Sequence, residues 1–482
     1  MPLWLYITGA GVTVAVSFVV IGFFSRGRSS LQGYARLNFL RWRAGRWLVF
    51  PALRFLLKLA SVAVFSLVVI AGLLGDQKPL NNLAPTMVWV IWWVGLAYIS
   101  ALVGNVWVLL NPWSAVFGWL ETLYRYVRPG GRLSLNLDYM ERLGTWPGVV
   151  LFMAFAWVEL VYSASAVPRN LATLMVAYSL VTWTGMAVFG KHRWLRYGEV
   201  FTVVFGLLAR FAPTEVAVCD AEQCLTCSVD CRSSGGECVN CYECFEKAEP
   251  DSRELNLRPY AVGLLQAEWA SPSLMIFVVL VVATVTFDGL TATPFWSSLV
   301  GNVYPAFRVL GGQALTGVQT MGLLVFPPIF LGVYLAFSAG MAMVSGSTVT
   351  VSDLGRAFVF SLVPIALAYH LAHFLSFLLI QGQLVIPLAS NPLGRGWDLL
   401  GTVDYKVNIG IVDARFAWIT AVIAIVIGHV IAVYVAHVVA LRIFTDERAA
   451  RRSQYPMVVL MVGYTMLSLW IIAQPVVELS SV

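Results

Sequence analysis

The sequence predicts an all-α fold: a polytopic transmembrane helix bundle carrying one small cysteine-rich insert. Three observations lead there. Hydrophobic residues make up 59% of the 482-residue chain and charged residues only 12%, with a mean hydropathy of +0.79. A water-soluble surface cannot be covered with so few charges. Uncharged apolar runs of membrane-crossing length recur along the chain. All seven cysteines fall between Cys219 and Cys244.

The apolar runs place ten spans, at roughly 3–24, 55–75, 86–108, 147–167, 171–189, 272–288, 317–345, 357–380, 416–441 and 456–478. The first, Leu3 to Phe24, has no basic region before it and no small-residue cleavage site, so it reads as a retained span. Two further stretches are membrane-associated without crossing. Residues 199–213 are too short and end near Arg210. Residues 114–128 mix aromatics with Arg125 and Arg128, as an interfacial helix does.

Basic residues set the expected orientation. With both termini outside, all of the 31 Lys and Arg face inward except Lys78, Arg169, Arg308, Arg395, Lys406 and Arg415. Cytoplasmic loops are enriched in Lys and Arg. The expectation is therefore a multi-pass protein of the cytoplasmic (inner) membrane with a cytoplasmic cysteine segment. The net charge of +6 marks sidedness and is no nucleic-acid signature; the lipid bilayer is the expected partner.

The organisation is an N-terminal membrane half (1–213), the cysteine-rich insert (214–260) and a C-terminal membrane half (261–482). Five spans on each side of the insert would enter the membrane in opposite senses, the topology of inverted-repeat transporters. A thin echo supports repetition: Asn111-Pro112 precedes Asp138-Tyr139, and Asn391-Pro392 precedes Asp404-Tyr405.

In the insert, Cys224 and Cys227 form C-x2-C, with Cys231 four residues on, and Cys238, Cys241 and Cys244 form C-x2-C-x2-C. Sulfurs clustered on short turns can converge on one ion. A reducing cytoplasm argues against pairing them as disulfides. Zinc is the first expectation, with these six cysteines as ligands. An iron–sulfur cluster is the alternative, although the final x3-Cys-Pro of a ferredoxin run is missing. The insert has too few apolar residues to fold without a ligand.

Within the membrane, four of five histidines lie on two consecutive spans: His370 and His373, then His429 and His437. His370 and His373 share a helix face. Intramembrane ionisable groups are functional candidates by default, set against a packing role in interhelical hydrogen bonds. His370, His373 and His429 are the expected ligands of a transition metal with an open position. A bis-histidine haem is the competing use. Glu159, in the middle of its span, and Asp288, at the end of another, are the expected catalytic carboxylates that would activate a metal-bound water.

The runs Phe287-Asp288-Gly289 through Thr293-Pro294, and Ala368-Tyr369-His370-Leu371-Ala372-His373, resemble a group of polytopic bacterial and archaeal membrane proteins of the type labelled fenitrothion hydrolase. Asn391-Pro392-Leu393-Gly394-Arg395-Gly396-Trp397-Asp398 and Ser453-Gln454-Tyr455-Pro456 carry the same likeness. The cysteine insert is not part of it. The resemblance implies an integral membrane protein with metal-dependent esterase or phosphotriesterase activity. Three functions follow as expectations. The first is a metal-dependent membrane hydrolase of a small-molecule ester. The second is a secondary transporter for a metal ion or small solute. The third is a redox protein with haem or Fe–S. Neither a phosphate-binding P-loop nor a dinucleotide glycine fingerprint is found, so ATP or nicotinamide chemistry would need a partner subunit.

Overall fold

The structure is a computed structural model that describes residues 3–24, 34–225, 227, 237–265, 269–346, 348–444 and 446–474. It is an all-helical bundle with one small sheet. The first half contains α1 (Leu3–Phe24), α2 (Pro51–Leu74), α3 (Leu83–Leu102), α4 (Pro112–Val127), α5 (Trp146–Leu160), α6 (Pro168–Phe189), α7 (Lys191–Tyr197) and α8 (Val200–Ala209). The short α9 (Tyr242–Lys247) belongs to the cysteine body. The second half contains α10 (Pro272–Thr291), α11 (Pro294–Phe307), α12 (Ala314–Ser345), α13 (Val363–Gln381), α14 (Ala414–Ile443) and α15 (Glu447–Ile472).

Eight helical stretches among the described residues are long and apolar enough to cross a membrane. Among the described residues each of the ten predicted spans falls mainly on helix, residues 475–478 of the last lying outside them; α1 and α5 are present only as shorter apolar helices. Residues 200–209 form a short helix, as their length requires. The connection that follows α10 is itself helical. Thr293 caps α11 by accepting the Trp296 N–H, and Pro294 starts it. Pro likewise opens α2, α4, α6 and α10, where its missing N–H costs no helix bond.

Small residues set the close crossings, as expected where lipid competes equally for apolar side chains. Gly72 on α2 lies against Pro168 and Ala172 of α6. Gly428 on α14 lies against Pro364 and Ala368 of α13. Helix α13 is thereby enclosed by α14, α10 and α3, and α10 also packs on α5.

The two Asn-Pro motifs do different work. Asn111 caps α4 through the Ser114 N–H and donates to Glu199. Asn391 instead accepts the Arg395 and Trp397 N–H groups of the loop between α13 and α14, whose Leu393 carbonyl accepts the Asp76 N–H. The loop so docks on the end of α2, with Arg395 donating to the Leu74 carbonyl.

The sheet has the antiparallel order β1 (Leu37–Asn38), β4 (Arg253–Leu257), β2 (Thr214–Val218), β3 (Cys238–Val239). The cysteine body therefore recruits a strand from the connection between α1 and α2, pairing Leu37 with Leu257. Leu40, Val216, Val218, Phe245 and Ala248 pack with Cys224, Cys238, Cys241 and Cys244 into its core. At its root, Arg258 donates to Glu215 at 2.6 Å with both side chains buried, while Tyr34 donates to Glu215 at 2.6 Å and Arg36 pairs with it at 2.8 Å.

Candidate functional site

A cavity of about 40 Å³ lies between α3, α5 and α8 of the first half and α10 and α13 of the second, lined by Glu159, Asp288, His370, Trp93, Phe152 and Phe374 among others. Glu159 is held by the Trp93 indole, whose Nε1–H donates to Oε1 at 2.6 Å. Trp93 lies in Thr86–Gly95, a stretch of α3 wound as a π-helix, a local widening common at functional sites. Asp288 Oδ2 and His373 Nε2 are 3.0 Å apart. The Phe-Asp-Gly run and the Ala-Tyr-His-Leu-Ala-His run thus meet in space, and Gly289 leaves room for the Tyr369 hydroxyl, 2.1 Å from where a Cβ would stand.

His370 is buried, 8% exposed, and neither ring nitrogen has a hydrogen-bond partner. Its ring sits edge-on to Trp93 and Tyr98, with centroids 6.2 and 5.3 Å away, and 4.8 Å from Phe374. A buried imidazole without a partner is costly.

The three histidines grouped from sequence do not come together. Among the described residues, the sets of three or more metal-ligating atoms within 4.8 Å of one another consist of cysteines. His429 is turned away because its neighbour Gly428 occupies the face against α13, and the next residue lies about 100° round the helix. Its Nδ1 lies 2.8 Å from the Ile425 carbonyl. A carbonyl only accepts, so Nδ1 carries the proton. The ring faces Tyr464, 5.8 Å away. His437 donates from Nδ1 to Gln454 Oε1 at 2.8 Å, with the amide fixed by its own bond to Ala450. That is interhelical packing.

Five cysteines gather in the insert. Cys224, Cys238 and Cys244 form one group within 4.8 Å, and Cys227, Cys241 and Cys244 another. Cys224 and Cys238 are paired as a disulfide. Cys227 and Cys241 sulfurs lie 3.4 Å apart. Cys219 is exposed and belongs to neither group, and Cys231 lies outside the described residues. The cluster can hold a metal ion.

Trp93 was not signalled by the sequence, where it is one of 18 tryptophans. A mid-membrane glutamate does imply a donor from a neighbouring helix, but not which one. Compared with known proteins, the chain matches no family model, no curated protein and no solved structure.

Proposed function

We propose that the chain is a proton-coupled secondary carrier of the cytoplasmic membrane, with Glu159 and the Asp288–His373 pair as its proton-binding group and His370 as a relay. One observation carries this reading: ionisable groups from both halves of the chain line or adjoin one internal cavity. Carriers built of inverted halves place their sites at that junction, near mid-depth, and protons in such proteins move along Asp, Glu and His. Trp93 fixes one oxygen of Glu159 and leaves the other to bind and release the proton. His373 gives Asp288 a partner in either protonation state.

The hydrolase implied by the resemblance is favoured less. The cavity of about 40 Å³ holds about three waters, at ~10–15 Å³ each, and not an aryl phosphate ester. His429, the third ligand such an enzyme would use, lies elsewhere. A small cavity closed to bulky ligands suits an occluded carrier.

The distribution of Lys and Arg supports a cytoplasmic cysteine body and both termini outside. Zinc is the proposed ion, held by thiolates mainly for structure. The test is proton flux in proteoliposomes loaded with a pH dye, with the membrane potential clamped by a potassium ionophore and candidate solutes added outside. Glu159→Gln and Asp288→Asn should each cut solute-dependent flux at least tenfold. Flux unchanged in both variants, or ester hydrolysis by the wild type that both abolish, would overturn the carrier reading.

A further inference from the structure

We propose that the reduced cysteine body binds two thiophilic divalent cations of the zinc class side by side, with the Cys244 thiolate bridging them. The inference rests on reading the insert as a metal site. A single tetrahedral ion with metal–sulfur bonds of about 2.3 Å requires four sulfurs all roughly 3.8 Å from one another. Among the described residues no four cysteines are so gathered. The sulfurs instead form two threes that share Cys244, each within 4.8 Å. Three sulfurs about one ion at bonding distance stand roughly 4 Å apart; the group of Cys227, Cys241 and Cys244 lies within that reach, and the group of Cys224, Cys238 and Cys244 does so once the Cys224–Cys238 bond is opened.

The local fold explains the shared position. Cys238 lies on β3, directly opposite Val218 of β2, and Cys224 sits on the turn of helix that follows β2. These present the first pair. Cys241 precedes α9 and Cys244 lies in its first turn, so the two are three residues apart on one face. Cys227 closes against Cys241 at 3.4 Å. Cys244 is therefore left between the strand pair and the loop pair.

Charge is compatible with two ions. Cysteines without a cation stay protonated thiols in a core where Cys238, Cys244, Cys224 and Cys241 are 0%, 1%, 4% and 5% exposed, because burial disfavours the thiolate. Five thiolates against two divalent cations leave a single net negative charge. Lys247, on α9 itself, is engaged with Glu243 at 2.6 Å. Glu243 Oε2 is also 3.7 Å from the Cys227 sulfur, an oxygen donor at hand for the second ion's fourth position.

The first site needs the Cys224–Cys238 bond opened. A thiol reductant supplies two electrons and two protons, is itself oxidised to a disulfide, and leaves two thiols. These lose their protons when the cation binds. Oxidised chain keeps Cys227, Cys241 and Cys244 and should hold one ion.

The experiment uses the full chain in detergent, loaded with zinc or cadmium, freed of excess ion, and measured for bound metal per chain. Reduced wild type should bind two ions and oxidised wild type one. Cys227→Ser and Cys238→Ser should each retain one, whereas Cys244→Ser should lose tight binding of both. Cadmium NMR of the reduced wild type should show two resonances coupled through a shared sulfur, an observation that needs no variant to fold. One ion per reduced chain, two uncoupled resonances, or two ions in the oxidised chain would overturn the bridged pair while leaving a metal site. No bound metal at all would overturn the metal reading itself.

Discussion

Gly428→Ala tests whether the crossing of α13 and α14 sets the geometry of the cavity. The added Cβ would stand 2.4 Å from the Ala368 Cβ and 2.7 Å from the Pro364 carbonyl oxygen. Ordinary contact is about 3.5–4.0 Å. The oxygen belongs to backbone and cannot rotate away, so the helices must part by about 1 Å. Overpacking of this kind costs about 1–3 kcal/mol, or roughly a 5- to 150-fold fall in the folding equilibrium. The same displacement moves the helix that carries His370 and His373. A His373–Asp288 contact now at 3.0 Å would stretch beyond hydrogen-bonding range, and proton flux should fall with stability. Unfolding in mixed micelles measures the first effect and the proteoliposome assay the second. Ala368→Gly in the same background removes the nearer clash and leaves the carbonyl, so recovery should be partial. Gly332→Ala, with nothing within 4 Å of its added carbon, serves as the neutral control. Gly428→Ala protein as stable as wild type and with full flux would refute the argument that this crossing is fixed by contact.

Three other outcomes follow from named contacts. Glu215→Ala strands the buried Arg258 guanidinium, which keeps only carbonyl partners such as Ala212; a loss of about 3–5 kcal/mol is expected, read as early unfolding of the cysteine body by hydrogen exchange. Asn111→Ala removes both the cap of α4 and a donor to the buried Glu199, at a cost of about 1–3 kcal/mol, read in the same mixed-micelle titration. Burial, then the neighbouring Lys191, holds the pKa of His192 below its ordinary 6.5. The unfolded chain then binds the extra proton first, so this contribution is complete above pH 6.5 and is lost as pH falls from there through the folded value. His192→Gln should flatten the wild-type loss of thermal stability between about pH 7 and 5.

Much of the architecture is written locally. Uncharged runs locate the spans, Pro and Asn or Thr mark their starts, and the cysteine spacing locates the soluble body. What is written between distant residues is not legible. Trp93 meets Glu159 across 66 positions, and Arg36 meets Glu215 across the whole first half. Nothing in either neighbourhood names the other. Asp288 and the paired histidines were legible as ionisable groups in apolar helices. Depth alone suggested that His429 joins them, but azimuth decides, and azimuth follows from Gly428 seeking the α13 face. The strand at Leu37–Asn38 was hidden for a different reason: two residues carry no alternation, and β4 alone gives them a place to pair.

The cysteine body approaches α2 and α7 through α9, the short helix that carries Cys244. Glu246 on α9 approaches Lys58 of α2 at 3.8 Å and Lys191 of α7 at 4.0 Å. Neither distance makes a hydrogen bond, and such partly exposed pairs contribute about 0–1 kcal/mol. Phe245 and Leu40 pack in the same core as Cys241 and Cys244, and Thr214 and Tyr260 donate to the Val103 and Leu102 carbonyls at the end of α3. Two perturbations then separate charge from scaffold. Glu246→Ala should leave hydrogen exchange of residues 238–247 and of the first turns of α2 almost unchanged. Removing the metal with a chelator under reducing conditions should raise exchange in both segments together, because unfolding α9 releases the N-terminal end of α2. Chelation that loosens 238–247 and leaves the start of α2 protected would show that the two bodies are held together elsewhere, through Arg258 and the β1 strand, and that the metal does not reach the membrane helices.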